Sequence, residues 1–148
     1  MNETIEKRLS DLGVTLPVAA APAANYVPYC RSGNLLFTAG QLPLKDGKLQ
    51  ASGLLGRDVD TATGKEAAKY CAINILAQAK AALGDLEKIR RLVKITVFVT
   101  DVRHFAAIHE VRAEYFRQDY PASTLVEVKS LVSPELMIEI EAIAVTSS

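Results

Sequence analysis

At 148 residues, with 49% hydrophobic and 23% charged side chains, the chain is long enough for one domain with its own core and too ordinary in composition for extensive disorder. Its 17 Lys and Arg balance 17 Asp and Glu, which argues against a generic binder of phosphate backbones and suits a surface partly covered by a second subunit. The charged opening MNETIEKRLSDLG has no apolar signal-like run, no stretch reaches the roughly 18 apolar residues of a membrane span, and Cys30 and Cys71 follow no metal-ligand spacing, so a cytoplasmic protein with reduced thiols is expected.

Ile5, Leu9 and Leu12 recur at helical spacing behind Asn2, a candidate N-cap, and Gly13 and Pro17 supply stop signals, so residues 1–22 read as a short helix and a proline-punctuated extended connection. Tyr26–Arg31 and Asn34–Gln41 flank Ser32-Gly33 and predict a hairpin. Gly40 interrupts its second strand, which marks either a bulge or a close approach by a ligand or another backbone. Asp46-Gly47 is a second turn signal, leading to a weak strand or loop as far as Gly56. The stripe Ala68, Ala72, Ile75, Leu76, Ala79 and Leu83 predicts a long helix over 61–83 that Gly84 ends, and residues 85–89 a helical turn. Val93, Ile95, Val97 and Val99 alternate along a strand over 92–100, and Asp101 is placed to cap a second helix over 103–117 bearing Phe105, Ile108, Val111 or Arg112, and Tyr115. Val126 and Val128, then Ile138, Ile140, Ala142 and Ala144, mark the apolar faces of two closing strands.

This order predicts one α+β domain over 1–148, a single sheet with two helices on one face. The helix-free face would carry Lys94, Thr96, Glu127, Lys129, Glu139 and Glu141 with Leu125, Leu131 and Ile143. Such a half-polar face is either solvated or pressed against another subunit, and closing the sheet edges favours a homo-oligomer.

Nucleotide-loop, zinc and hydrolase-elbow patterns are absent, and no cofactor or metal is expected. His104 and His109 are five apart on the predicted helix, off a shared face, and His109 reads as a surface or interface residue more readily than a catalytic one. Ser123 has no neighbouring base to activate it. Glu139 and Glu141 point the same way from one strand, so each can raise the pKa of the other toward an acid–base role; the competing reading pairs them across strands with Lys94 or Lys129.

Three stretches, SGNLLFTAGQLP at 32–43, LVKITVFVTDVRHFAAIHEVRAEYF at 92–116 and PASTLVEVKSLVSPELMIEIEAIAV at 121–145, together resemble the RidA/YjgF family of reactive-intermediate deaminases, also labelled endoribonuclease L-PSP. The similarity runs from about Tyr26 to Val145, and the leading residues through Pro22 resemble a longer subgroup. The resemblance implies a chorismate-mutase-like fold and a homotrimer whose clefts between subunits bind enamine or imine products of pyridoxal-phosphate enzymes, such as 2-aminoacrylate. There water releases ammonia and leaves a keto acid. Carried over by position, Tyr26 matches a cleft tyrosine, Gly40 lies in the strand lining the site, Glu139 matches the glutamate that positions or activates water, and His109 falls where many members have asparagine.

One departure bears on activity. Where the deaminases carry a PARS motif whose arginine binds the substrate carboxylate, this chain reads PAST and has Ser123; Leu125 stands where cysteine is common. Losing a bidentate, charge-assisted pair removes binding and orientation for a small carboxylate. Arg31, Arg57, Arg112 or Arg117 of another subunit are the candidates to restore the charge. The expected function is therefore an enamine/imine deaminase of altered substrate range. The alternatives are a non-catalytic trimer binding a small metabolite and, with least support from the neutral charge, an RNA-cleaving protein or translation inhibitor.

Overall fold

The computed structural model describes residues 3–22, 24–50, 61–104, 108–110, 112–113 and 119–147. Helix α1 spans Ile5–Asp11, and its N-cap is Thr4, whose hydroxyl accepts from the Lys7 amide at 3.1 Å. The cap expected at Asn2 therefore falls two residues later; Asn2 itself lies outside the described residues. Strands β1 (Tyr29–Ser32) and β2 (Leu35–Thr38) form the first hairpin around Gly33-Asn34 rather than Ser32-Gly33, because the glycine takes the left-handed conformation (φ 57°) at the first turn position. Tyr26 lies ahead of the strand in which it was expected.

Asp46 and Gly47 both have positive φ, as a two-residue hairpin turn of this hand requires, and they join β3 (Leu44–Lys45) to β4 (Lys48–Leu49). The remainder of the expected segment to Gly56 lies outside the described residues. Helix α2 runs over Thr61–Leu83, as its stripe predicts, and Gly84 at φ 77° terminates it. Its burial is wider than the stripe, since Ile73, Ala77 and Gln78 are also covered. Two polar side chains explain this: Asn74 Nδ2 donates to the Leu42 and Leu44 carbonyls, both at 2.9 Å, and Gln78 Nε2 donates to the Ala20 carbonyl at 2.8 Å. They fasten the β3–β4 hairpin and the extended connection along the flank of α2.

Strand β5 begins at Ile89, three residues earlier than its valine pattern suggests, and reaches Val99. A 3-10 turn over Val102–His104 follows, and Asp101 Oδ1 accepts from the Arg103 amide at 2.9 Å, the capping role expected of it. Residues 108–110 and 112–113 are helical; Phe105, Val111, Tyr115 and the expected end at Arg117 lie outside the described residues. Strands β6 (Ala122–Glu127) and β7 (Ile138–Thr146) close the chain. The five-stranded sheet has the order β1-β2-β7-β5-β6, with β5 and β6 parallel and every other pair antiparallel.

The fold is thus α+β, with one main sheet and its helices on one side. Ala68, Cys71 and Ile75 of α2 and Ile108 meet Ile95, Val97 and Val99 of β5 and Ile138, Ile140 and Ala142 of β7 in one core, while α1 adds a third helix through Leu9 against Leu36, Leu83, Leu86 and Ala144. The pairing corrects one expected face. Val97 stands beside Leu125 and Val99 beside Glu127, so Leu125 packs toward the helices with Ser123 and Glu127 in the same row. Val126, expected to be inward, is exposed on the other face.

Candidate functional site

The bulge expected at Gly40 is present. From the pair Phe37–Ile143 to the bridge Gln41–Ile140 the chain takes four steps on the β2 side and three on β7, so one residue is extra. Thr38 covers the interruption, its hydroxyl accepting from the Ala142 amide at 3.0 Å. Gln41 anchors the far end: its amide donates to the Ile140 carbonyl at 2.7 Å, and its side-chain Nε2 donates to the Ala39 carbonyl at 3.1 Å. A buried glutamine after a glycine in an apolar run was the signal for this anchor in the sequence.

What comes close to Gly40 is the Glu139 side chain. A Cβ at residue 40 would lie 1.9 Å from Glu139 Oε1, 2.7 Å from Cδ and 2.9 Å from Cγ, so the carboxyl group occupies the space that the missing side chain leaves. Glu139 is half-buried beside Phe98, its partner on β5. Burial raises its carboxyl above the ordinary value, and the Glu141 charge adds to the shift. The alternative of cross-strand ion pairs does not hold: among the described residues neither glutamate has a lysine partner, and Lys94 Nζ donates instead to Thr124 Oγ1. Cys71, buried beneath the sheet, is pushed well above its ordinary value by burial first and by Glu139 second, as expected of a small core residue rather than a nucleophile.

The remaining predicted positions are distributed around this notch. Tyr26 is exposed before β1, and His109 is exposed on the helical residues that follow Ile108. Ser123 is exposed on β6, an edge strand, but its pairing with Ile95 puts it in the helix-side row, while Glu139 belongs to the opposite face. Leu125 is partly buried against the core. One chain therefore brings Gly40 and Glu139 together and leaves Ser123 across the sheet from them. Of the candidate arginines, Arg31 is exposed on β1 at the other sheet edge, Arg112 lies on the helix side, and Arg57 and Arg117 are outside the described residues. Among the described residues no cluster of His, Cys, Asp and Glu could hold a metal ion, and no helix is long and apolar enough to cross a membrane.

A carboxyl group of raised pKa, held in a notch and with no counter-charge among the described residues, can take a proton from water and return it. Comparison with known proteins identifies the family. Residues 17–146 match the family model of endoribonuclease L-PSP. Protein TCP17 of Trypanosoma cruzi is 44% identical over 101 residues, a match covering 68% of this chain and 63% of that protein. The crystal structure of Atu1372 from Agrobacterium tumefaciens, described as of unknown function, superposes with a TM-score of 0.80 at 44% identity, covering 97% of this chain and 92% of that one. TdcF of Escherichia coli, provisionally named a reactive intermediate deaminase and solved with bound serine, superposes with a TM-score of 0.69 at 30% identity over 87% of this chain and 94% of its own. The chain belongs to the endoribonuclease L-PSP family, the family also called RidA/YjgF.

Proposed function

We propose that the chain is an enamine/imine deaminase acting on reactive products of pyridoxal-phosphate enzymes. The observation that carries this reading is the Glu139 carboxyl group, with its raised pKa, seated in the space left by Gly40. An imine carbon is electrophilic. Glu139 takes a proton from water as the oxygen bonds to that carbon and passes it to nitrogen, giving a carbinolamine; the same carboxyl group then carries the hydroxyl proton to nitrogen as the C–N bond breaks, so imine and water become carbonyl and ammonia. The serine held by TdcF is a small α-amino acid of the size of 2-aminoacrylate, which supports a cleft for ligands of this class. With Ser123 in place of the arginine, the site favours substrates that need no guanidinium for their carboxylate.

The working form in this reading is a homotrimer in the cytoplasm, with clefts between subunits in which Tyr26, His109, Ser123 and Leu125 line the substrate. Its support is the helix-free face, which exposes Phe37 and Val126 beside Glu139 and Glu141, and the two unpaired edges β1 and β6. The test couples the protein to a pyridoxal-phosphate dehydratase and follows keto-acid release. Acceleration that is lost in Glu139→Gln is expected, and no acceleration with any amino acid substrate refutes the reading.

Ser123 favours a second reading, a trimer that binds a small metabolite without turning it over. It predicts a thermal shift with serine or a related amino acid and no coupled activity; a cleft unresponsive to such ligands excludes it.

A further inference from the structure

On the helix side of the sheet, away from Glu139, lies a cavity of about 310 Å³. Ala72, Ile75 and Leu76 of α2, Ile95 of β5 and Ile108 form its walls, and Leu9 and Leu12 bring α1 across it. Ala72 and Leu76 were expected in the helix stripe, yet neither is fully buried, because this space lies against them. The volume is at the lower end of the range for ligand pockets and holds on the order of ten non-hydrogen atoms, taking each at the ~30 Å³ of a liquid water.

Arg112 lines this apolar space, and its Nη2 is a buried atom with no hydrogen-bond partner. Desolvation draws the guanidinium below its ordinary pKa. A buried donor on a charged group is costly to leave unsatisfied, and few in native structures lack an explanation. Arg8, Arg90 and Arg91 also border the cavity, against the single carboxylate of Asp119 among the described lining residues. The surroundings are therefore mainly hydrocarbon, with more positive than negative side chains among the described residues at the border.

The geometry points to a second ligand site within each subunit, for an amphipathic monocarboxylate of about ten non-hydrogen atoms whose apolar body fills the cavity and whose carboxylate pairs with Arg112. A carboxylate offers a guanidinium two parallel acceptors, and the aliphatic walls receive the chain. The roof gives the site a further character: α1 precedes position 17, so the helix beside the cavity lies outside the segment that matches the family model.

Octanoate, with about the right number of atoms, is the probe. Calorimetric titration of the full chain should show one octanoate per subunit, with octanol bound about tenfold or more weakly. Arg112→Met should abolish that preference and, by removing a buried N–H that has no acceptor, raise the Tm of the unliganded protein. Glu139→Gln, altered on the opposite face, should bind octanoate as the unmodified chain does, which separates this site from the deaminase reading. Should Arg112→Met fail to fold, Ala72→Phe serves instead: it fills the cavity and should abolish octanoate binding. No octanoate binding, equal affinity of the unmodified chain for octanoate and octanol, a preference for octanoate that survives Arg112→Met, or binding that survives Ala72→Phe overturns the proposal.

Discussion

Gly40→Ala is the sharpest probe of the notch. The added methyl would sit 1.9 Å from Glu139 Oε1, far inside van der Waals contact, so one of the two must move. The glutamate yields, because Gly40 is not in the left-handed region that excludes alanine, whereas Glu139 is a long side chain on a half-solvated face. The stability balance is nearly level. Restricting the unfolded chain contributes about 0.4–1 kcal/mol in favour of alanine. Forcing Glu139 from its preferred rotamer costs about 0.5–1.5 kcal/mol. The net change is within about 1 kcal/mol, a Tm shift of a few degrees for a chain of this size.

Activity responds differently. Displacing a reacting group by about 1 Å costs on the order of 100-fold in rate. The coupled keto-acid assay should therefore show a fall of about that size in kcat/KM with little change in Tm. The pair Gly40→Ala and Glu139→Gln should be strongly non-additive, since once the carboxylate is gone its displacement has nothing left to remove. Full activity in Gly40→Ala, or losses that add in the double variant, would refute the assignment of Glu139 as the proton carrier.

Glu139 also sets a pH dependence. Its folded pKa lies above the ordinary 4.5, so the native state binds the extra proton, and the cost of ionising the buried carboxyl is absent below 4.5 and grows as pH rises through the folded value. Glu139→Gln should accordingly raise Tm at pH 7, with the gain shrinking as the solution is acidified toward pH 4.5; a constant gain at all pH values contradicts the shift. Ser123→Arg, at an exposed edge position, should change stability by no more than about 0.5 kcal/mol and improve 2-aminoacrylate hydrolysis about tenfold or more, measured as kcat/KM. Failure to improve would mean that the cleft differs at more than this residue. Leu9→Ala, which hollows the contact of α1 with Leu36, Leu83 and Leu86, should cost about 2–5 kcal/mol in denaturant unfolding; a loss below about 1 kcal/mol would show that α1 contributes little to the fold.

The parts legible in the sequence were those with a local period. Helix α2 was readable because alanines and leucines recur every three or four residues and a glycine ends them, and β7 because Ile138 to Ala144 alternate with polar residues. Strand β6 was not, for a physical reason: in LVEVK both parities carry an apolar residue, and only the pairing of Val97 with Leu125 decides that leucine turns inward and Val126 outward. The notch had half a local signal. Gly40 announced an interruption, but a contact with a residue so distant in the chain leaves no trace in either segment. Arg112 shared its place in the helical stripe with Val111, and spacing alone could not show that a guanidinium nitrogen of Arg112 is buried.

The opposite placement of Ser123 and Glu139 also constrains what the missing arginine means. Residues in one row of a sheet share a face, and the rows alternate. Ser123 follows Ile95, and Glu139 follows Phe98, so a side chain at position 123 starts on the far side of the sheet from the carboxyl group that would act on the same substrate. A small imine is too short to pass through a sheet whose core rows are filled by Ile95, Val97 and Ile140. If both positions serve one ligand, they do so around the exposed β6 edge or from different subunits. In the second case the cleft is completed only on assembly, and the Glu139 notch of one chain is read against residues of its neighbour. The charge lost at Ser123 then has to be supplied across the interface or not at all. Arg112 lies with Ile95 on the helix side, the side from which position 123 starts, and lines the apolar cavity rather than the Glu139 notch.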